Sequence, residues 1–255
     1  DQHPEDMADL CQELHETLGV NSMKLKAGVM PPEDEARVVE LCRERLGDGF
    51  GLRIDPNGTW SVPTAVKIGR RLESVGMEYF EDPAWGLEGN AAVRQAVRIP
   101  IATNMYPNKF DDLGPAVRMG AVDIVLTDLH YWEGPKGVKD LATVCRTFKL
   151  GVAMHSGAEF GIELAAMLHT AATIPEMIVA GDAHYHYLTD DIIQGGPLPY
   201  EDGCIKLPTG PGLGVELDEE KMTKYERYFE EKGDYYARFH QDPRRPDWYP
   251  VVGGW

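Results

Sequence analysis

The sequence predicts an α/β fold in which parallel strands and helices form a TIM-like (β/α) barrel. Short strands rich in β-branched residues alternate with amphipathic helical stretches, and each strand–helix step has the length of one βα unit. The strands are nearly uniformly apolar, as expected when helices cover one face of a sheet and a packed interior covers the other. No glycine-rich phosphate loop follows the first strand, which speaks against an open dinucleotide-binding sheet.

Seven stretches have the strand pattern, and seven strands at this spacing favour a closed barrel over an open sheet. They occupy residues 22–26, 50–55, 77–81, 99–103, 122–127, 150–155 and 177–182. Helical patterns lie between them, for example at 33–46, 62–75, 89–97 and 136–148, and another helix is predicted at 4–18.

The alternation stops at about residue 183. Residues 195–214 are rich in Gly, Pro and charged side chains, a helix is predicted at 218–232, and residues 240–255 contain three prolines and two tryptophans. We therefore predict an incomplete barrel bearing the active site in residues 1–182. Residues 183–255 are predicted to form the last barrel loop, a C-terminal helix and an ordered tail that wraps around the barrel.

Composition excludes several classes of function. The formal net charge of −17 argues against a nucleic-acid partner, because phosphate backbones are bound by basic surfaces. The sequence contains no run of eighteen apolar residues, so no membrane span is predicted. Its first residues lack the pattern of a signal peptide. Four cysteines without a CxxC pair predict reduced thiols in a cytoplasmic protein.

Polar residues close six consecutive predicted strands. A single charged residue at a strand end is usually a solvated cap, but here one or two polar side chains recur at every βα step, and such side chains converge at the C-terminal mouth of a barrel. In chain order the series is Lys24 and Lys26, Asp55, Glu81, Asn104, Asp128 and His155.

Three members of the series predict a metal site. Asp55, Glu81 and Asn104 offer oxygen ligands only, which suits Mg²⁺ or Mn²⁺. A metal in this position would stabilise the second negative charge that develops on a substrate carboxylate when the neighbouring carbon loses a proton.

The remaining members predict acid–base chemistry. Lys26 can act as a base if its pKa is lowered, and Lys24, on the same face of the strand, is a like charge that would lower it. His155, oriented by Asp128 from the preceding strand, would act on the opposite face of the substrate.

These strand ends resemble the enolase superfamily, and within it the glucarate dehydratase subgroup. Asn104 as third metal ligand is typical of that subgroup. The matching motifs are Lys24-Leu25-Lys26, Asp55-Pro56-Asn57-Gly58, Glu81-Asp82-Pro83, Ala102-Thr103-Asn104-Met105, Asp128-Leu129-His130-Tyr131-Trp132, Met154-His155-Ser156 and Pro208–Gly214.

The resemblance implies a (β/α)7β barrel whose first strand and N-terminal α+β capping domain are absent from this chain. It further implies substrate contacts at Lys24, Asn57, Ser156 and His184, with Arg238 as a candidate for the substrate arginine of the family. One departure lies after His155, where the subgroup reads His-Ser-Asn-Ser-His and this chain has Gly157 and Glu159. Glu159 is therefore a candidate for repelling a distal carboxylate of the substrate.

The resemblance implies an acid-sugar dehydratase that acts on a small anionic substrate and assembles as a homo-oligomer. The same side chains could perform an epimerisation, and a Schiff-base aldolase using Lys24 or Lys26 or a non-catalytic binding barrel are alternatives from other classes. We also expect the natural polypeptide to be longer by a cap and a strand, because a barrel lacking one strand exposes two sheet edges.

Overall fold

Six parallel strands in sequence order form the central sheet of the structure, a computed structural model that describes residues 3–157 and 159–233. Each strand pairs with its neighbours in the chain, which confirms the predicted βα succession. The strands are β1 Ser22–Lys26, β2 Gly51–Asp55, β3 Tyr79–Glu81, β4 Ile101–Thr103, β5 Ile124–Thr127 and β6 Gly151–Met154.

Eight α-helices lie in the described residues, and seven of them precede or follow these strands. Their ends carry ordinary start and stop signals: a proline occupies the first turn of α1, and Gly19 ends it in the left-handed conformation. Ser61 accepts a hydrogen bond from the backbone N–H of Thr64 at the start of α3. The helices are α1 Pro4–Leu18, α2 Pro32–Leu46, α3 Val62–Leu72, α4 Gly86–Ala96, α5 Phe110–Met119, α6 Gly134–Phe148, α7 Gly161–Ala171 and α8 Glu219–Lys232.

The seventh predicted strand is present only as a loosely paired segment beside β6. Met177 forms an isolated parallel bridge with Val152, and the N–H groups of Ile178 and Asp182 donate to carbonyls of β6. The sheet is curled into part of a barrel, and no described strand lies between this segment and β1, which is consistent with the expected incomplete barrel. Lys24 of β1 nevertheless forms an ion pair with Asp182, so the sheet curls far enough for its two edges to meet at the mouth.

Between residues 183 and 233 the structure describes no further strand of the central sheet. This part of the chain contains a short antiparallel hairpin, β7 Tyr200–Glu201 and β8 Cys204–Ile205, and then α8. The hairpin turn packs on the end of α1: the N–H of Gly203 donates to the carbonyl of Leu18, and a Cβ at Gly203 would overlap the backbone of Gly19. The division of the chain at residues 182 and 183 remains a prediction, and the predicted tail at 240–255 and Arg238 lie outside the described residues.

The apolar core fills the space between the helices and the sheet, and its largest fully buried side chains include Trp60, Trp132 and Phe80. Within the described part of the chain, no helix combines the length and the apolar character needed to cross a membrane. The buried polar residues Asp55, Glu81 and Asp128, by contrast, collect at the carboxyl ends of the strands.

Glu35 holds the loop that joins β1 to α2. Its buried carboxylate accepts hydrogen bonds of 2.8–2.9 Å from the backbone N–H groups of Gly28, Val29 and Met30. We expect Glu35→Ala to lower the free energy of unfolding by about 2–3 kcal/mol, because three loop donors lose their partner. Urea denaturation measures the change. Glu44→Ala, at an exposed ion pair on the same helix, should cost less than about 1 kcal/mol, and equal losses in the two variants would contradict this role.

Candidate active site

Lys24 lies at the centre of a group of buried carboxylates. Its Nζ is 3.1 Å and 3.0 Å from the two carboxylate oxygens of Glu81 and 3.8 Å from Asp55, and it also forms an ion pair with Asp182. Burial lowers the pKa of Lys24, but the charges of Glu81, Asp182 and Asp55 outweigh this effect and raise it above its ordinary value. Lys24 is therefore a fixed positive charge.

Lys26 is the accessible lysine of the pair. Its side chain is 40% exposed, against 4% for Lys24, and its ammonium group forms an ion pair with Asp55. The other carboxylate oxygen of Asp55 accepts a hydrogen bond of 2.8 Å from the N–H of Asn57, whose positive φ turns the chain back over the strand end. Asn57 thus contributes to the site through its backbone.

The predicted metal ligands are buried. Asn104 Oδ1 accepts no hydrogen bond, and Glu81 Oε2 makes an ion pair of 3.0 Å with Lys24. Burial and the nearby charge of Asp55 raise the pKa of Glu81 well above its ordinary value, which indicates that the group lacks positive charge. Carboxylate and amide oxygens suit a hard cation such as Mg²⁺. Among the described residues no three His, Cys, Asp or Glu side chains form a metal-binding group, so the predicted set depends on the amide oxygen of Asn104 as well as on two carboxylates.

His155 is held between two neighbours. Its Nδ1 is 3.3 Å from Asp128 Oδ2, as predicted, and its Nε2 is 2.6 Å from Asn104 Nδ2. Because an amide nitrogen can only donate, Nε2 accepts and Nδ1 carries the hydrogen. Burial raises the pKa of Asp128, but hydrogen bonds from His155 and from backbone N–H groups outweigh burial and hold this pKa below its usual range. Asn104 Oδ1 itself accepts no hydrogen bond.

Asp82 holds the backbone of Asn104 in place. Its carboxylate accepts hydrogen bonds from the N–H of Asn104 at 3.0 Å, the hydroxyl of Thr103 and the amide of Asn90. Burial, and then the charge of Asp55, raise the pKa of Asp82 to about 6. The strand-end pattern does not identify this residue, because it lies one position beyond Glu81. Its positive φ, however, is a local sign of a constrained position.

We expect Asp82→Asn to weaken Mg²⁺ binding and turnover about 10- to 100-fold, because Asn104 loses the acceptor that fixes its backbone. The affinity for Mg²⁺ is measured from the rise in melting temperature with metal concentration. Asp123→Asn is the matched control, since Asp123 makes comparable contacts, to the N–H of Ile101 and to Arg94, away from the mouth of the sheet. Equal effects of both variants on Mg²⁺ affinity would reduce Asp82 to a general contributor to stability.

Three of the predicted substrate contacts lie together. Ser156 donates to the carboxylate of Glu159 and accepts a hydrogen bond of 3.3 Å from the N–H of His184, so these three residues form one cluster. Glu159 is only 6% exposed.

Asp182 forms an ion pair with Lys24 and so belongs to the site, although the pattern of six strand ends omits it. The signal was available, because Asp182 closes the seventh predicted strand as the other residues close theirs.

Two cavities border the site and share no lining residue. One extends along the length of β1, and the other lies beside the carboxyl ends of β4, β5 and β6. The first, of about 570 Å³, is lined by Lys24, Lys26, Asp182 and His184 together with side chains of α1. The second, of about 640 Å³, is lined by residues that include Asn104, Asp128, His155, His130 and Glu163. The candidate bases Lys26 and His155 therefore face different cavities. Glu159 is not among the residues that line the second cavity, where Glu163 supplies a carboxylate instead.

This arrangement of strand-end residues agrees with a known family. The family described as "Enolase C-terminal domain-like" matches residues 6–221. The chain belongs to the enolase superfamily. The expected resemblance is thereby confirmed, including its implication of an α/β barrel domain.

Several known proteins are similar to this enolase-superfamily chain over most of its length. A probable glucarate dehydratase from Streptomyces coelicolor is 41% identical over 94% of the chain, and the chain spans 56% of that relative. An enolase from Pseudomonas fluorescens, solved with bound magnesium, potassium and tartrate, is 37% identical; it has a TM-score of 0.92 over the whole chain, which covers 60% of it. An enolase from Gibberella zeae, complexed with magnesium, formate and sulfate, is 35% identical and has a TM-score of 0.92. The match covers the whole of this chain and 60% of that enolase.

Proposed function

We propose that this chain contains the chemical centre of a metal-dependent acid-sugar dehydratase. The enzyme would remove the proton α to a carboxylate and eliminate the β-hydroxyl as water, giving a keto-deoxy acid. The observation that supports this proposal is the set of strand-end side chains: the buried carboxylates of Asp55 and Glu81, the amide oxygen of Asn104 without a hydrogen bond, the accessible Lys26 and His155 held by Asp128. Relatives named as a glucarate dehydratase and an arabinonate dehydratase support the reaction class.

Asp55, Glu81 and Asn104 would hold Mg²⁺ or Mn²⁺. When bound, the metal supplies positive charge to the substrate carboxylate as its α-carbon loses a proton. Lys24, held by its carboxylate partners, stays positively charged. It would add to the stabilisation of the negative charge that develops on the substrate carboxylate.

The resting hydrogen bonds divide the acid and base roles. His155 presents an unprotonated Nε2, because its Nδ1 hydrogen is held by Asp128, so His155 takes the α-proton. Lys26, whose ammonium group pairs with Asp55, donates a proton to the β-hydroxyl, which leaves as water. The resulting enol tautomerises to the 2-keto-3-deoxy acid. Solvent then removes the proton from His155 and returns one to Lys26.

Two alternatives use the same residues. Delivery of a proton by Lys26 to the α-carbon, after His155 has removed one from the other side, would give an epimerase. A Schiff-base aldolase is less compatible with the site, since the raised pKa of Lys24 disfavours the neutral amine that an imine requires.

Proton NMR in D₂O separates these reactions in the intact natural polypeptide. A dehydratase converts the acid sugar to a keto-deoxy acid with deuterium at the new methylene carbon, and excess chelator stops it. An epimerase returns a substrate of inverted configuration with deuterium at the α-carbon and no loss of water. Turnover that survives the chelator, with a protein adduct trapped by borohydride, would overturn the proposal in favour of an aldolase.

The second cavity favours a substrate whose far end is uncharged. His130 Nε2 is 2.6 Å from Glu163, and burial is the main cause of a raised pKa of Glu163. No lysine or arginine is among the described residues that line this cavity. A hydroxyl can donate to the carboxylate of Glu163, whereas a second substrate carboxylate would be repelled by it.

We therefore expect Glu163→Gln to raise kcat/KM for an aldarate, relative to the corresponding aldonate, by about tenfold. The variant removes one repulsive charge and keeps the shape of the side chain, and one such repulsion near a protein surface is worth about 1–4 kcal/mol. Competition assays with glucarate and gluconate measure the ratio. The control is Glu133→Gln, a charge removed on an adjacent loop outside the cavity lining, which should leave the ratio unchanged. A fall in the aldarate preference of Glu163→Gln would contradict the assignment.

A further inference from the structure

We propose that Asp191 is a positioning residue of the active site, which fixes the place of His184 through Tyr185. Its buried carboxylate joins the loop that contains His184 to the first turn of α7. Asp191 belongs to none of the strand ends on which the site was predicted. The inference rests on the proposed function in one respect, namely that His184 contacts the acid-sugar substrate.

The carboxylate of Asp191 is a shared acceptor for separate parts of the chain. Asp191 is fully buried, and both of its carboxylate oxygens lie 3.0 Å from the backbone nitrogen of Gly161, at the start of α7. The hydroxyl of Tyr185 donates to the same carboxylate, and the N–H of Ile192 donates to it at 2.6 Å. Removal of this acceptor would leave several buried donors without a partner, which is costly.

Asp191 supplies an acceptor that the start of α7 lacks. The helix begins after Phe160, whose side chain makes no capping hydrogen bond, so the N–H of Gly161 takes its partner from another part of the chain. A carboxylate is favoured here because the N-terminal end of a helix is the positive end of its dipole. The contact also requires the glycine, since a Cβ at Gly161 would lie 2.7 Å from Asp191 Oδ2 and 3.0 Å from the hydroxyl of Tyr185.

Tyr185 connects this anchor to His184, its neighbour in the chain. Tyr185 is buried, and its hydroxyl donates to Asp191 and accepts a hydrogen bond of 2.9 Å from the N–H of Leu198. The N–H of His184 donates to the hydroxyl of Ser156, which lies just beyond β6. His184 is therefore held on one side by the end of β6 and on the other by Asp191 through Tyr185.

A purely structural role of Asp191 and a positioning role predict different results. If Asp191 only stabilised the fold, its replacement would lower the melting temperature and leave the kinetics of the folded protein unchanged. If Asp191 positions His184, the folded variant binds its substrate less tightly, and the imidazole of His184 becomes more accessible to a reagent.

The kinetic test is a double-mutant cycle of Asp191→Asn and His184→Gln in the intact natural polypeptide, below the melting temperature of every variant. The substrate is glucarate or gluconate, whichever the wild type turns over faster. Asparagine keeps the shape of the side chain but brings a donor against the donors of Tyr185 and Gly161. We expect Asp191→Asn to raise KM about tenfold and to change kcat by less than about twofold.

The cycle shows whether Asp191 acts through His184. In the His184→Gln background, Asp191→Asn should change KM by less than about twofold, because the side chain that it positions is already gone. A rise in KM that is as large in this background as in the wild type would overturn the proposal.

Chemical labelling tests the placement of His184 without turnover. The protein is treated with diethyl pyrocarbonate and digested with endoproteinase Asp-N, and fragment ions of the peptide 182–189 distinguish His184 from His186. We expect Asp191→Asn to accelerate the labelling of His184 several-fold and to leave the half-buried His15 of α1 unchanged. Equal labelling rates of His184 in the variant and the wild type would overturn the proposal. A wild type that turns over neither sugar acid would contradict the proposed function, and the labelling would still decide the role of Asp191.

Two further variants provide the controls. Tyr185→Phe removes the link to His184 and keeps the carboxylate on α7, so it should reproduce both the rise in KM and the faster labelling. Asp123→Asn removes a carboxylate that holds the N–H of Ile101 and the side chain of Arg94, and it should lower the melting temperature without either change. If Asp191→Asn fails to fold, Tyr185→Phe gives the same two measurements, and wild-type values of both would overturn the proposal.

Discussion

Glu81→Gln should abolish turnover, by a factor on the order of 10³ or more, and leave the fold intact. The neutral side chain removes a ligand charge that no other described residue can replace at this position. It also relieves the repulsion from Asp55 that contributes to the raised pKa of Glu81. We therefore expect the melting temperature of the metal-free variant to equal or exceed that of the metal-free wild type.

The metal response separates a ligand from a structural residue. Mg²⁺ at about a hundred times its dissociation constant should stabilise the wild type by about 2.7 kcal/mol, a rise of roughly 5–10 °C, and should leave Glu81→Gln unchanged. Glu88→Gln, at an exposed carboxylate on the following helix, should respond like the wild type. Either unfolding of Glu81→Gln, or a rise in its melting temperature with Mg²⁺ as large as that of the wild type, would show that Glu81 has a structural role instead.

The order of the elements and the principal site residues could be predicted because each depends on a local pattern. Apolar runs alternating with amphipathic helices determine the succession of strands, and a polar residue at each strand end must lie at one edge of a parallel sheet. The contact of Asp128 with His155 follows from this rule, because their strands are neighbours with the register that Thr127 and Met154 define.

The remaining features depend on side-chain packing that a strand pattern does not contain. Whether Glu159 or Glu163 faces the second cavity is decided by the hydrogen bond from Ser156, which holds Glu159 inside. Closure of the sheet depends on what lies between β1 and the segment at 177–182, and no described strand occupies that place. Of the three carboxylates around Lys24, the six strand ends include Asp55 and Glu81 and omit Asp182, which closes the seventh predicted strand.

Substitution of the two proposed acid–base residues should have unequal effects on proton exchange. His155→Asn should lower both dehydration and deuterium exchange at the α-carbon by about 10²–10⁴, because the group that takes the proton is gone. Lys26→Gln should reduce dehydration to a similar extent but retain exchange, since His155 can still remove and return the α-proton while the β-hydroxyl lacks its acid. Both rates come from one experiment, in which the substrate and product signals are followed by NMR in D₂O.

The Asp128→Asn variant tests how His155 is held. An asparagine at this position can still contact Nδ1 but lacks the charge that stabilises the imidazolium formed when Nε2 takes a proton, so exchange and dehydration should fall together. Asp140→Asn, at an exposed ion pair on α6, should leave both rates unchanged. Retention of exchange in His155→Asn together with its loss in Lys26→Gln would reverse the two roles, making Lys26 the base. Loss of exchange in both variants would instead favour proton transfer between the two faces, which is the chemistry of the epimerase.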